Sequence, residues 1–267
     1  MNDIIDFHTH AFPDELAARA IPFLEEEGNV KAFLDGTVTD LLRSMDRAGI
    51  EKSLICSIAT RPSQFGSILD WSKTIRTDRI IPLPSVHPKA VNVQEQLRII
   101  HEEGFIGIKL HPYYQDFFID DEKLDDMYGS LIEHDLLVVM HTGFDIAFPR
   151  MKLCDPGRIL KVGENFPGLK LITTHLGAWD QWEEVRELLI GKPIYMELSY
   201  ALDFLEAQTA RTMIINHPPE YLLFGSDSPW SDQKNSLDLL RALELDPELF
   251  QRITRGNAES LLNRISL

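Results

Sequence analysis

The chain has 267 residues, 44% of them hydrophobic, and its 42 acidic against 26 basic side chains give a formal charge of −16 at pH 7. So acidic a surface repels nucleic-acid phosphates and anionic lipid, which excludes both as partners. No apolar run approaches the roughly 20 residues that a membrane span needs. The N-terminus lacks a basic region followed by an apolar stretch, so no signal peptide is expected and the cytoplasm is the expected compartment. The two cysteines form no framework of disulfides and no Cys-x-x-Cys pair. Cys56, inside an apolar run, is expected as a buried thiol.

The first predicted strand is Ile4-Ile5-Asp6-Phe7-His8-Thr9-His10. Strict alternation puts Asp6, His8 and His10 on one face, where two imidazoles can reach the same cation. Alone, His-x-His is a weak signal, equally met by chance at a strand end. Residues 11–36 then make a long excursion, with a short helix predicted after Pro13; it can fold over the strand end as a lid or lie as a surface loop. Thr37 to Asp40 opens a helix closed by Gly49, the residue type usual just past a helix end.

Strands are predicted over 53–58 and 80–87, the second interrupted by prolines that remove ladder donors. The alternation continues with helix 93–103, strand 105–111, helix 122–134, strand 136–141, helix 158–165 and strand 170–175. Helix 182–190, strand 194–199, helix 204–216 and strand 221–227 follow. Strands that are apolar on both faces, such as 136–140, are those of a parallel sheet covered by helices. Eight of them in strict alternation with helices, with no Gly-x-Gly-x-x-Gly after the first, predict an α/β fold: a (β/α)8 TIM barrel, one domain over residues 1–267.

The strand ends carry the chemistry. His8 and His10 end strand one, Lys109 and His111 strand four, His141 strand five, His175 strand six and Asp227 strand eight. In a TIM barrel the C-terminal strand ends meet at one mouth. Any one histidine is more often a satisfied core residue; the whole set, strand after strand, is not a coincidence.

The ordered motifs Asp6-x-His8-x-His10, Gly107-Ile108-Lys109-Leu110-His111-Pro112, His141-Thr142-Gly143, Thr174-His175-Leu176-Gly177 and Gly225-Ser226-Asp227-Ser228-Pro229-Trp230 resemble the amidohydrolase superfamily. More narrowly they are similar to its small metal-dependent hydrolases and decarboxylases related to aminocarboxymuconate-semialdehyde decarboxylase. The resemblance implies a divalent metal, zinc being expected, held by His8, His10, His141 and Asp227. One ion is favoured, and two would follow if Lys109 were carbamylated and bridged them; a cationic Lys109 would instead hold a substrate carboxylate. His175 lies beside the metal water in mononuclear relatives and binds a second ion in binuclear ones.

The ligand set suggests a mechanism. A divalent ion lowers its water's pKa from 15.7 to about 7. Asp227 can act as general base and His175, protonated, can stabilise an oxyanion. His111 is a candidate for metal or substrate. Arg61 and Arg150 are candidate carboxylate clamps, and Trp230, with Tyr113, Tyr114 and Trp179, a candidate pocket wall. Glu197 and Ser199 share a face of strand seven, inner or outer. The expected activity is hydrolysis of an amide, lactone or ester of a small, carboxylated molecule. Non-oxidative decarboxylation of an aromatic or unsaturated acid is the alternative. The partner is a small-molecule substrate, with a homo-oligomer possible.

Overall fold

The computed structural model describes residues 4–264. Its strands are β1 Ile4–Thr9, β2 Ile50–Cys56, β3 Ile80–Leu83, β4 Gly107–Leu110, β5 Leu137–Met140, β6 Leu171–Thr173, β7 Tyr195–Glu197 and β8 Leu222–Leu223. All neighbouring pairs are parallel, in the order β1-β2-β3 and β4-β5-β6-β7-β8. Two seams join these runs into a TIM barrel. At one, Phe7 N donates to Phe224 O (2.8 Å), Asp227 N to His8 O (2.8 Å) and His10 N to Ser228 O (2.6 Å). At the other, Lys109 N donates to Pro84 O (3.0 Å). That seam is thin for a reason visible in the sequence. The Leu83 carbonyl faces β2, where it accepts from Ser57 N, so Pro82 and Pro84 stand on the β4 side. Neither has an N–H to offer there.

Helix ends follow local chemistry. Thr37 Oγ1 accepts from Asp40 N (3.1 Å) to start helix Val38–Ala48, and Gly49, at φ 73°, ends it with its N–H on Met45 O. The barrel interior is filled by alternate strand residues, among them Ile5, Phe7, Leu54, Val139, Ile172 and Leu223. Each such side chain contributes about 1.5–3 kcal/mol by leaving water. Ala258 and Leu261 close this core beside Ile106 and Tyr195, next to the starts of β4 and β7.

Strict alternation fails in β1, and the failure matters. With Ile5 and Phe7 in the inner core, an unbroken strand would turn His8 outward with Asp6. The pairing instead runs Asp6 to Ser53 and Thr9 to Ile55, three steps against two. This bulge places Phe7 and His8 on the same inner side. His8 and His10 therefore share the mouth, whereas Asp6 binds Gln233 of helix Gln233–Ala242.

Beyond Trp230, where the sequence reading assigned nothing, lie helices Gln233–Ala242, Pro247–Gln251 and Asn257–Arg264. The π-helical turn Arg252–Gly256 between the last two supplies Ile253 O to Phe224 N (2.9 Å). Asn257 Nδ2 donates to Pro219 O and Leu222 O, so this turn holds β8 from outside. The excursion after β1 forms helix Asp14–Gly28 and is tied down by Phe33 N donating to Pro229 O (2.7 Å).

Candidate active site

The geometry is best built from the remote nitrogen of each imidazole, because its partner fixes where the proton sits. His8 Nδ1 faces Glu197 Oε1 (2.9 Å) and His10 Nδ1 faces Cys56 O (2.8 Å). The Cys56 carbonyl can only accept, so His10 carries its proton on Nδ1; His8 does the same once Glu197 is ionised, as a cation at its Nε2 would favour, and both rings then turn a lone pair inward from Nε2. Those two Nε2 atoms lie 3.1 Å apart. Asp227 Oδ1 is 3.1 Å from the His10 nitrogen and 3.5 Å from that of His8. Three acceptors thus converge, with the Lys109 amine as a donor 3.1 Å from His8 Nε2. Two imidazoles and one carboxylate around one point suit a divalent transition metal or zinc.

A second facing pair adjoins the first. His175 Nδ1 donates to Ser199 O (3.0 Å) and His141 Nε2 to Phe144 O (3.1 Å). The remaining atoms, His175 Nε2 and His141 Nδ1, are both lone pairs and lie 3.2 Å apart. The His8 and His175 ring centroids are 5.7 Å apart, so the two groups share one chamber. Burial holds the pKa of His175 below the ordinary value, and those of His8 and His141 well below it. All three imidazoles are accordingly neutral, the form that binds metal.

Backbone in rarely adopted conformations delivers two of these groups: His175 has φ 59° and Asp227 φ 64°. Such conformations cost of order 1–3 kcal/mol each and persist where the surroundings enforce them. Gly143, after His141, has φ 88°, and a Cβ there would stand 2.0 Å from Trp179 N. The turn that presents His141 therefore has no room for another residue.

Beneath the imidazoles lies a layer of carboxylates that the sequence left open. Glu197 is fully buried on the inner face of β7, and burial pushes its carboxyl up to about 8 against the pull of its Ser199 hydrogen bonds. Asp6 accepts from His8 N, Ser226 N, Ser226 Oγ and Gln233 Nε2, tying β1 to the segment that carries Asp227. Burial raises it to about 6.

Lys109 Nζ lies 3.1 Å from His8 Nε2, and its residue is wholly buried. Among the described residues no carboxylate lies within 4 Å of it. Burial lowers the pKa of this amine, in spite of Asp227 and Glu197 nearby. His111 stacks on His141 at 4.1 Å between centroids, with Nε2 3.3 Å from Asp145 Oδ2. Asp145, which the sequence reading did not single out, sits in a loop with no periodicity to mark it. Cys56 is the expected buried thiol, pushed up to about 12 by burial.

Above the polar floor opens a cavity of about 480 Å³. Its walls are largely apolar, with Leu16, Ile58, Trp71, Phe144 and Trp179 among them, and Trp230 and Tyr114 take part as anticipated. Leu16, Leu24 and Val30 come from the excursion after β1, which therefore stands over the mouth as a lid rather than apart from it. Tyr113 is buried beside the cavity, its hydroxyl on Met151 O. Arg61 and Arg150 are not brought in. Arg61 is exposed at the start of the turn Pro62–Gln64. Arg150 is exposed, paired with Asp180 and stacked at 4.0 Å on Phe144. Lys109 is the one lysine or arginine among the residues lining the cavity.

A TIM barrel with imidazoles and one carboxylate at its C-terminal mouth defines a class of metal-dependent barrel enzymes. The sequence profile described as Amidohydrolase matches residues 5–264, and the chain belongs to that family, whose members are enzymes that bind a divalent metal. A search of curated protein sequences returns no match. Among solved structures, an uncharacterized TIM-barrel protein from Bordetella bronchiseptica is 21% identical, with 99% of each chain covered and a TM-score of 0.82. 2,6-Dihydroxybenzoate decarboxylase from Rhizobium is 16% identical over 99% of each chain, with a TM-score of 0.71. A probable 2-pyrone-4,6-dicarboxylic acid hydrolase from Acinetobacter baumannii is 12% identical over 98% of this chain and 100% of its own, with a TM-score of 0.65. At these identities the likeness concerns the fold. Among the described residues no helix is long and apolar enough to cross a membrane.

Proposed function

We propose that the protein is a metal-dependent hydrolase of a small, largely apolar acyl compound: an amide, ester or lactone without a carboxylate of its own. The observation that carries this reading is the convergence of His8 Nε2, His10 Nε2 and Asp227 Oδ1, two imidazole nitrogens and a carboxylate oxygen around one point. A divalent ion there, zinc in the first instance, supplies a Lewis acid for the acyl oxygen and brings the pKa of a water from 15.7 to about 7. The chain's own residues supply the rest. Asp227 takes the proton of the attacking water as general base and passes it to the leaving group. His141 Nδ1 and His175 Nε2 offer a second pair of ligand atoms, and His175 works as a neutral ligand rather than as an acid. An ammonium on Lys109 would repel the cation held by the ring it touches. With a cation on His8, Lys109 would be a neutral amine or its carbamate, and as the carbamate it would join His141 and His175 as residues that would hold a second ion.

The walls speak for an uncharged substrate. With Arg61 and Arg150 outside, no guanidinium of the described residues reaches the cavity, and a carboxylate among Trp71, Phe144 and Trp230 would be buried without a partner. One specific carboxylate escapes this objection: that of an aromatic acid whose charge sits on the cation and whose ring fills the apolar space. Decarboxylation of such an acid is the second reading, and five of the similar solved structures are named for that reaction. A screen of metal-loaded protein against aryl esters, lactones and anilides, run beside hydroxybenzoates, separates the two. Carbon dioxide release without uptake of water would replace the hydrolytic reading with the second. Turnover of neither set by protein shown to hold metal would sink both.

A further inference from the structure

We infer that Glu197 is the positioning residue of the metal centre, fixing the coordinating form of His8 and pinning the turn that presents His175. This rests on the metal reading above. Glu197 Oε1 accepts from His8 Nδ1 (2.9 Å), from Ser199 Oγ (2.7 Å) and from His175 N (3.1 Å), while Oε2 accepts from Ser199 N (2.7 Å). One carboxylate thus reaches a first-strand ligand through its ring and a sixth-strand ligand through its backbone. Ser199 completes the link, its Oγ lying 3.1 Å from His8 Nδ1 and 3.2 Å from His175 Nδ1.

Two features separate this from ordinary core packing. First, the residue is wholly buried and, among the described residues, no lysine or arginine lies within 4 Å of it. An unpaired buried carboxylate is costly, and a cation one imidazole away is what would offset it. Second, the neighbouring strand yields space to it. A Cβ on Gly225 would stand 2.2 Å from Glu197 Oε2, so the glycine before Ser226-Asp227 is where this carboxylate lies. All four groups pointing at the carboxylate are donors. A glutamine amide nitrogen would oppose Ser199 N in the Oε2 place, and His8 Nδ1, Ser199 Oγ and His175 N in the Oε1 place. In the Oε1 place it would move the ring proton of His8 to Nε2 and block the coordinating atom; in either place the ring faces no carboxylate charge. Loss of such a carboxylate behind a ligating histidine lowers metal affinity about 10- to 100-fold.

The test measures affinity for zinc by competition with a chromophoric chelator, on full-length protein first stripped of metal, together with the visible spectrum of the cobalt-loaded form. Glu197→Gln is expected to lose about 10- to 100-fold in zinc affinity and to change the cobalt spectrum, with thermal stability of the stripped protein at neutral pH kept, because the amide matches the protonated carboxyl in size and charge. Gly225→Ala presses on Oε2 without altering charge and is expected to move both readings the same way by less. Zinc affinity within twofold of wild type and an unchanged cobalt spectrum in Glu197→Gln would overturn the inference and leave the metal reading standing. Should that variant fail to fold, the same null result in Gly225→Ala overturns it. Wild-type protein that binds neither zinc nor cobalt would overturn the metal reading itself.

Discussion

Two clusters of the same composition sit at the barrel mouth, each two histidines and an aspartate: His8, His10 and Asp227, and His111, His141 and Asp145. They differ in what holds the other side of each ring. In the first, Glu197 and the Cys56 carbonyl take the Nδ1 protons, so every atom facing inward is an acceptor. In the second, the nitrogens near Asp145 face a carboxylate and the Phe144 carbonyl and so carry protons. A hydrogen-bonded imidazole–carboxylate group needs no cation; a ring of lone pairs does. Residue type and proximity alone would call both metal sites; the position of the protons shows that the Asp145 side of the second cluster is hydrogen-bonded, and that His141 has only its other nitrogen, beside His175, to offer a metal.

The largest effect that follows is in the first cluster. Asp227→Asn removes a ligand and the general base, and turnover of the ester or lactone found by screening should fall by about 10²- to 10⁴-fold. A variant as active as wild type would erase the distinction between the clusters. Lys109→Met comes next. It should cap metal content at one ion per chain by elemental analysis, where protein loaded in bicarbonate carries two. It should also raise the melting temperature of stripped protein, since an isolated buried amine is gone. Asp145→Asn, in the second cluster, should cost tenfold or less in turnover and leave zinc affinity within a few-fold; a loss as large as that at Asp227 would make Asp145 a ligand.

A pH titration sharpens the carboxylate layer. The Glu197 carboxyl lies at about 8 in the fold against its ordinary 4.5, so the folded stripped protein keeps a proton that the unfolded chain releases. The stabilisation is complete below 4.5 and is lost as pH rises through about 8. Urea unfolding of the stripped protein from pH 5 to 9 should show this decline in wild type and not in Glu197→Gln; parallel curves would refute it. Smallest of all, Arg61→Ala and Arg150→Ala should each leave kcat/KM within twofold, because neither side chain lines the cavity. A tenfold loss in either would restore a carboxylate clamp.

Eight strands and their order were legible because buried parallel strands read as apolar runs, and the histidines mark their ends. Pro82 and Pro84 were legible as missing ladder donors, but that they face β4 and thin the seam there was not. The bulge in β1 was not: alternation groups Asp6 with His8 and His10, and nothing local announces that three residues will span two. Asp145, Ser226 and Gln233 lie in loops or just after them, where no period flags an inward side chain. Arg61 and Arg150 looked like clamps because they follow strand ends, yet a loop can carry a charge to solvent as easily as to a mouth.

The amino-acid sequence by itself determined the barrel and the histidines, Lys109 and Asp227 at its strand ends, since periodicity and strand ends are properties of neighbours along the chain. Tertiary structure alone decided which nitrogen of each ring looks inward, that Glu197 stands behind His8, and that no arginine among the described residues enters the cavity. Those facts depend on partners as far apart as His8 and Glu197, and a hydrogen bond across 189 positions leaves no mark on either local sequence.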